Sequence, residues 1–384
     1  MDPRETRNIV SGNTRRERNS NLELYRIITM LLIVAHHYVV NSGLTSIDGP
    51  IYSNITSWRS IFLLLFGAWG KTGINCFVLI SGYFMCKSNI TFKKLLKLLL
   101  EVYFYRIIIN GLFWISGYEA FSLETLVKTI VPFTSIAQNF TGCYFVFLLV
   151  IPFLNILIRN MTQRQHILLV LLTAGVYVIF GSVPFFSVTF NYITWYCVLY
   201  FIAAYIRLYP KKIFDNTKLW GQTSLIMLGI ASVSVVVCAI IPPMFGRPSL
   251  PYLFVADSNK ILAVAVAVSS FMFFKNIPIK TNRFINSVSA TTFGILLIHA
   301  NSDSMRRWLW QDVLNNKAAC DSPYMLIHAI GSVVAIFTLC FLIDYCRIKW
   351  IETPFFNCWE YHGAKIEAKG KRIVNKIFDK LSKE

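Results

Sequence analysis

The sequence predicts an all-α membrane protein, a polytopic bundle of about ten transmembrane helices with both termini in the cytoplasm. Hydrophobic residues make up 55% of the 384 residues and charged residues only 15%. The mean hydropathy of +0.54 is above that of an ordinary soluble domain of this length. A third observation, the distribution of positive charge, predicts the orientation. The chain should therefore lie in a lipid bilayer as a multi-pass protein.

Ten apolar stretches of 15 to 21 residues are predicted as spans, close to the about 17 to 25 mostly apolar residues that a transmembrane helix needs. In chain order they are 22–40, 67–86, 95–115, 144–158, 166–185, 192–209, 223–241, 260–274, 284–300 and 325–345. The second stretch contains Lys71, Asn75 and several glycines. Irregular backbone at membrane depth needs protein or water around it, so we expect a broken or cavity-lining segment there.

Positive charges set the orientation of these spans. With ten spans and the N-terminus inside, the cytoplasmic segments carry 27 Lys and Arg residues, against eight on the outer side. Cytoplasmic loops are the ones enriched in Lys and Arg, which predicts cytoplasmic termini and a place in the inner (cytoplasmic) membrane. The formal charge of +18 is then mostly a result of topology. No nucleic-acid partner is expected, because the basic residues are spread over the inner loops without interleaved aromatic residues.

Three regions are predicted along the chain. Residues 1–21 form a basic, polar tail with no cleavable signal peptide, so the first span is expected to be an uncleaved signal anchor. Residues 22–356 form the membrane domain. Residues 357–384 form a basic tail whose alternation of basic and apolar residues suits an amphipathic helix on an anionic leaflet, or alternatively a solvated helix. The nine scattered cysteines indicate small buried apolar residues, with neither a disulfide framework nor a metal site.

The first span carries two polar groups that a lipid-facing helix does not need. Arg26 and His37 are eleven residues apart, which places them on one face of a helix, about 16 Å apart along its axis. An ionisable residue in the hydrocarbon region is costly, so an intramembrane histidine is by itself a hypothesis of function. This helix could hold a charged group at the membrane surface and a reactive group near the midplane. Alternatively, Arg26 is an interfacial anchor paired with Glu23 at i,i+3.

Five segments in order carry a resemblance to a known family. They are Arg18 to Arg26 with His37, Gly73-Ile-Asn-Cys-Phe-Val-Leu-Ile-Ser-Gly-Tyr-Phe84, Tyr144 to Asn155 with its Pro-Phe-Leu-Asn ending, Phe293-Gly-Ile-Leu-Leu-Ile-His299, and Glu352-Thr-Pro-Phe355. Together they resemble the acyltransferase 3 family of bacterial integral membrane acyltransferases, particularly its polysaccharide O-acetyltransferases. The resemblance covers about residues 18–356. Leu296 stands where this family usually has Tyr, and Lys94-Leu-Leu-Lys97 stands where it usually has two arginines three apart.

The resemblance implies an O-acyltransferase that moves an acyl group from an acyl-CoA to a carbohydrate hydroxyl. Acetyl from acetyl-CoA is the favoured donor, with succinyl the alternative. Arg26, Lys94 and Lys97 would bind the CoA phosphates, although lysine lacks the planar fork with which arginine grips phosphate. His37 would act as general base on the acceptor hydroxyl or would carry the acyl group transiently, and the sequence leaves both roles open. No metal is expected.

Two residues are predicted to bind substrate. Tyr83 is a polar group in an apolar span and would line a cavity or hold helices together. His299 lies at the outer end of the ninth predicted span. It would contact the sugar or orient another group, or it is a helix-end histidine with a structural partner.

Four further residues are expected to support the site. They are Glu23, His36, Ser81 and Glu352. His36 is turned about 100° from His37 around the helix, so it should pack or hydrogen-bond between helices. Ser81 should line the cavity or join helices, and Glu352 could instead be a helix-end acid paired with Lys349.

Two other classes of protein remain open at this stage. A polysaccharide or lipid-linked sugar exporter, or a flippase, would also be a basic, all-helical membrane bundle with buried polar residues. It would not require the pairing of Arg26 with His37 and would not consume acyl-CoA. A structural or sensor membrane protein would leave the deep histidine unexplained.

Overall fold

The computed structural model describes residues 19–131, 140–186, 188–360 and 372, and in these residues all regular structure is helical. The helices are α1 (Ser20–Val40), α2 (Pro50–Ser53), α3 (Trp58–Gly67), α4 (Gly70–Met85), α5 (Phe92–Ile115), α6 (Leu123–Ile130), α7 (Phe140–Arg159), α8 (Gln163–Ala174), α9 (Tyr192–Leu208), α10 (Thr217–Met244), α11 (Ile261–Asn276), α12 (Arg283–Ala290), α13 (Thr292–His299), α14 (Asp303–Arg307), α15 (Asn316–Asp321) and α16 (Met325–Arg347). Turns of π-helix extend α8, α14 and α16. The all-helical prediction is confirmed.

Seven helical segments of the described residues are long and apolar enough to cross a membrane. They are Ser20–Val40, Trp58–Met85, Phe92–Ile115, Phe140–Arg159, Gln163–Phe180, Thr217–Met244 and Met325–Glu360, and α9 and α11 are shorter apolar helices. The predicted span 284–300 is divided at Thr291 into α12 and α13, of eight residues each. The multi-pass architecture is supported, whereas the number ten and the cytoplasmic termini stay predictions. The amphipathic tail predicted from Lys365 lies outside the described residues, apart from Arg372.

The break expected in the second predicted span lies at its start, between α3 and α4. His36 of α1 fixes this break, because its Nδ1 donates a hydrogen bond to the carbonyl oxygen of Gly67 over 2.6 Å. Gly70 begins α4 directly against the imidazole, and a Cβ at this position would lie 2.2 Å from the His36 Cγ. The close contact requires glycine there. His36 therefore joins α1 to the α3–α4 junction, as expected of an interhelical contact.

Helix α1 lies at the centre of the bundle and packs against α3, α4, α11, α12, α13 and α16. Its residues belong to both buried apolar clusters, with Val34 in one and Leu22 in the other. Large apolar side chains on the outer helices, such as Leu112, Phe153 and Leu225, are exposed. Exposed apolar side chains on helices of this length indicate a lipid-facing surface. The bundle thus surrounds α1, the helix with the most unusual polar residues, with protein.

Candidate active site

Helix α1 presents Arg26 and His37 on one face, as their spacing predicts. The NH1 atom of Arg26 lies 3.3 Å from Oε2 of Glu23, one turn earlier, so the i,i+3 pair exists. The same carboxylate oxygen accepts a hydrogen bond from Ser289 Oγ of α12. Among the described residues only Glu23 forms a hydrogen bond or ion pair with Arg26, and the Arg26 side chain is 28% exposed, so guanidinium donors remain open to a ligand.

His37 meets His299 at the end of α13, although 262 residues separate them in the chain. His37 Nδ1 lies 2.9 Å from His299 Nε2, and His299 Nδ1 lies 2.6 Å from the carbonyl oxygen of Ile295. A carbonyl oxygen only accepts, so His299 Nδ1 carries the hydrogen and, in the neutral ring, its Nε2 accepts. His37 Nδ1 must then be the donor. This chain of hydrogen bonds leaves the lone pair of neutral His37 on Nε2.

The two histidines differ in their surroundings. His299 is fully buried and packs edge-on against Trp310, with ring centroids 6.4 Å apart. His37 is only half-buried. The buried ring is thus held in one orientation by Ile295 and Trp310, while the residue it supports keeps part of its surface exposed. Such an arrangement is typical of a base held by an orienting group.

A cleft of about 440 Å³ opens at the C-terminal end of α1, one turn beyond His37. Its lining includes Val40 and Asn41 at the end of α1, and Arg306, Arg307 and Gln311 from α14 and its π-helical extension. Gln311 Nε2 donates to the carbonyl oxygen of Asn41 over 2.9 Å, which closes the cleft at one point. Sequence reasoning missed this cleft, because its lining residues come from two segments that are more than 250 residues apart in the chain and meet only in the folded protein.

The N-terminal end of α1 lies at the opposite end of the bundle. Helix α4 runs antiparallel to α1, since His36 contacts Gly70 and the Tyr25 hydroxyl lies 2.8 Å from Cys76 Sγ. The end of α4 and the start of α5 therefore lie near the start of α1. At α5, Lys97 forms an ion pair with Glu352 at 2.5 Å, while Lys94 is exposed.

Glu352 belongs to a buried cluster of charged residues that sequence reasoning did not find. Arg347 is its centre: the guanidinium lies 2.6 Å from Asp344, 2.8 Å from Glu352 and 3.0 Å from Glu101. The Tyr105 hydroxyl donates to Asp344 over 2.7 Å. We call these five residues the Arg347 cluster. Glu352 thus pairs with Arg347 and Lys97, and not with Lys349 as the alternative had it.

The Arg347 cluster and His299 are joined by a single short helix. Gly294 lies near the start of α13, and a Cβ there would lie 2.2 Å from Cγ of Asp344. Five residues later the same helix presents His299 to His37. Helix α13 thus lies against the Arg347 cluster near its start and contacts His37 at its end.

The two remaining predicted residues contact neighbouring helices. Ser81 Oγ donates to the Phe77 carbonyl oxygen over 2.8 Å and lies 2.9 Å from the hydroxyl of Tyr144 on α7. The Tyr83 hydroxyl accepts a hydrogen bond of 2.7 Å from Arg207 at the end of α9, whose guanidinium lies 4.5 Å from the Tyr83 ring centroid. Tyr83 thus holds Arg207, which no motif in the sequence marks as a site residue.

The polar groups form two sets, one at each end of α1. At the N-terminal end lie Arg26, Lys94, Lys97 and Arg207 with their partners, and near the C-terminal end lie the histidine pair and the cleft. No group of three or more His, Cys, Asp or Glu side chains in the described part of the chain is arranged to hold a metal ion.

The comparisons with known proteins agree with the resemblance in the sequence. A family model described as an acyltransferase domain, that of the acyltransferase 3 family, matches residues 19–345. No curated protein and no solved structure matches the chain. The matched range covers most of the chain, including both members of the histidine pair. The chain belongs to the acyltransferase 3 family and is a multi-pass membrane protein with an acyltransferase-type function.

Proposed function

We propose that the protein is an O-acyltransferase of the inner membrane that transfers acetyl from acetyl-CoA to a hydroxyl of a cell-envelope or exopolysaccharide sugar. The observation that supports this most directly is the hydrogen-bond chain from the Ile295 carbonyl through His299 to His37. It leaves His37 Nε2 free to accept a proton, which is what activation of a sugar hydroxyl requires.

The proposed reaction is balanced without any co-reactant. His37 Nε2 takes the proton of the acceptor hydroxyl while the oxygen attacks the thioester carbonyl. The C–S bond then breaks, and the departing CoA sulfur receives the proton from His37. The products are the O-acyl sugar and CoA with its free thiol. The same Nε2 could instead carry the acyl group between donor and acceptor, which is the second mechanism that the sequence leaves open.

The donor is proposed to enter at the N-terminal end of α1. Arg26 has open donors there, and Lys97 is 49% exposed despite its ion pair with Glu352. Phosphate groups favour such cationic partners. Tyr83 would act on the donor through Arg207, which its ring and hydroxyl hold at this end. A thioester arm that reaches along α1 would need to cover about 16 Å from Arg26 to His37.

Chemical analysis of the surface polysaccharide tests this function. Cells with the wild-type protein and cells without it are compared by mass spectrometry for O-acetyl content per sugar. We expect acetylation only where the protein is present. If the amount of polysaccharide changes while its acyl content does not, the protein is an exporter or flippase and the proposal is wrong.

Lys97→Arg should keep donor use or improve it. Arginine keeps the charge and adds a planar fork, so the KM for acetyl-CoA should be unchanged or lower by up to about tenfold. The measurement is the initial rate of acetyl transfer in membranes against acetyl-CoA concentration. Lys93→Arg, at the neighbouring exposed position, is the matched control. Loss of activity with normal expression would contradict a phosphate contact at Lys97.

His299 is proposed to position His37, and two substitutions test this role. His299→Phe removes the acceptor for His37 Nδ1–H, and a buried donor without a partner costs about 1–3 kcal/mol. We therefore expect the kcat of acetyl transfer to fall about 10- to 100-fold. His299→Gln offers an amide oxygen in place of Nε2 and should recover part of the rate. Equal rates for the two variants would contradict the positioning role.

A further inference from the structure

We infer that the cleft at the C-terminal end of α1 is the acceptor site, and that it takes a sugar unit bearing a carboxylate or phosphate held by Arg306. This inference rests on the proposed function and adds the chemical class of the acceptor. The cleft lies at the opposite end of α1 from Arg26 and Lys97. Donor and acceptor would thus approach His37 from opposite ends of the bundle.

The position of the cleft relative to His37 favours an acceptor. Its lining begins at Val40, three residues after His37, and its volume of about 440 Å³ is within the range of about 300–1,000 Å³ that is typical of small-ligand sites. Thr45 and Ser46 add hydroxyl groups to the lining, and Gln311 adds an amide. Such groups suit the hydroxyls of a sugar.

The surroundings of Arg306 indicate that the sugar bears a negative charge. Its NH1 pairs with Asp303 at 3.2 Å, but the Asp303 side chain is 97% exposed. An exposed ion pair contributes little and is readily exchanged. The Nε atom of Arg306 is buried and has no hydrogen-bond partner in the part of the chain that the structure describes. A buried N–H of a guanidinium without an acceptor is costly, so an anionic ligand here would satisfy both the charge and the free donor.

Arg307 adds a second positive charge to the lining of the cleft. Its guanidinium lies 5.4 Å from the centroid of the Tyr118 ring, and its Nε donates to the Tyr118 hydroxyl over 3.2 Å. That hydroxyl donates in turn to Asp312 over 2.5 Å, so Tyr118 bridges Arg307 and the Asp312 carboxylate. The lining itself contains two arginines and one aspartate, an excess of one positive charge.

Arg306 also connects the cleft with the histidine pair. Arg306 lines the cleft that begins one helical turn beyond His37, and its charge lies within electrostatic range of both His37 and His299. An anionic group bound at Arg306 would therefore lie in the cleft next to the end of α1 that carries His37. The contact between this anionic group and Arg306 would then direct a hydroxyl of the same sugar unit towards the His37 imidazole.

Labelling of the native glycan tests the inference. Membranes of cells that carry the protein are incubated with acetyl-CoA labelled in the acetyl group, and the labelled glycan is fractionated by anion exchange and identified by mass spectrometry. We expect the label on a sugar unit that bears a carboxylate or phosphate. Arg306→Gln should lower labelling about 10- to 100-fold, because it removes a charge-assisted contact. Arg306→Lys should retain more activity, and Arg247→Gln, an exposed arginine outside the cleft, should have no effect.

The outcomes separate this inference from the proposed function. Label on a neutral sugar unit, with Arg306→Gln as active as wild type, would overturn the anionic acceptor and leave the acyltransferase function intact. Absence of label from all glycans with wild-type protein would overturn both. The inference can be overturned even if a variant fails to fold, because the charge of the labelled sugar is determined with the wild-type protein.

Discussion

His37→Ala should abolish acetyl transfer while the protein still inserts and folds. His37 Nε2 holds the only lone pair that the histidine pair presents, since His299 uses both of its ring nitrogens within the hydrogen-bond chain. Loss of a general base costs about 10²- to 10⁴-fold in rate. The measurement is the initial rate of acetyl transfer in membranes, at expression levels matched by immunoblot.

A substitution at another histidine controls for the general effect of losing an imidazole from the bundle. His166 is fully buried on α8, and its Nε2 hydrogen-bonds the Phe201 carbonyl oxygen at 3.0 Å. Glutamine can make that same contact, so His166→Gln should leave the rate unchanged. Full activity of His37→Ala would exclude both the base and the acyl-carrier roles of His37.

The same variant separates the two mechanisms that the sequence leaves open. If His37 carries the acyl group, wild-type protein incubated with labelled acetyl-CoA and no acceptor should retain label after rapid quenching, and His37→Ala should retain none. If His37 is a general base, neither protein should be labelled. In that case His37→Ala should regain activity as pH rises, because hydroxide can replace the missing base.

The parts of the site that could be predicted from the sequence depend on local spacing. The helical repeat places Arg26 and His37 on one face, and the same repeat brings Glu23 to Arg26 at i,i+3. Hydropathy predicts most of the apolar spans, because the thickness of the bilayer sets the length of a span. The predicted span 284–300 was an exception, since hydropathy does not detect the break at Thr291 that separates α12 from α13.

The parts that could not be predicted depend on contacts between distant segments. The meeting of His37 with His299 joins residues 262 apart, and the contact of Tyr105 with Asp344 joins residues 239 apart. Hydropathy treats Glu101, Asp344 and Arg347 as isolated charges in apolar helices. A buried charge needs a partner, so their presence could have signalled a cluster, but not which helices would meet. Arg306 carried no such signal, because it follows a span and resembles an ordinary loop residue.

Gly294→Ala should strongly destabilise the bundle. Replacement of a glycine inside a helix by alanine usually adds up to about 1 kcal/mol of stability. Here the new Cβ would lie 2.2 Å from Cγ and 2.3 Å from Oδ1 of Asp344. Asp344 is held by Arg347 and Tyr105, so the carboxylate has little freedom to move away. We expect a loss of about 3 kcal/mol or more from overpacking, seen as a lower melting temperature in detergent.

Gly331→Ala, on a neighbouring helix, is the matched control and should not destabilise the protein. Gly331 lies on α16, the helix that carries Asp344, and a Cβ there meets no atom within 4 Å. Its stability should be unchanged or slightly higher, because only the helix propensity changes. If Gly294→Ala were as stable and as active as Gly331→Ala, α13 would not be fixed by the Arg347 cluster. If Gly294→Ala folds but loses acetyl transfer, the displaced α13 has moved His299 away from His37, and the buried cluster acts on the reaction through that helix.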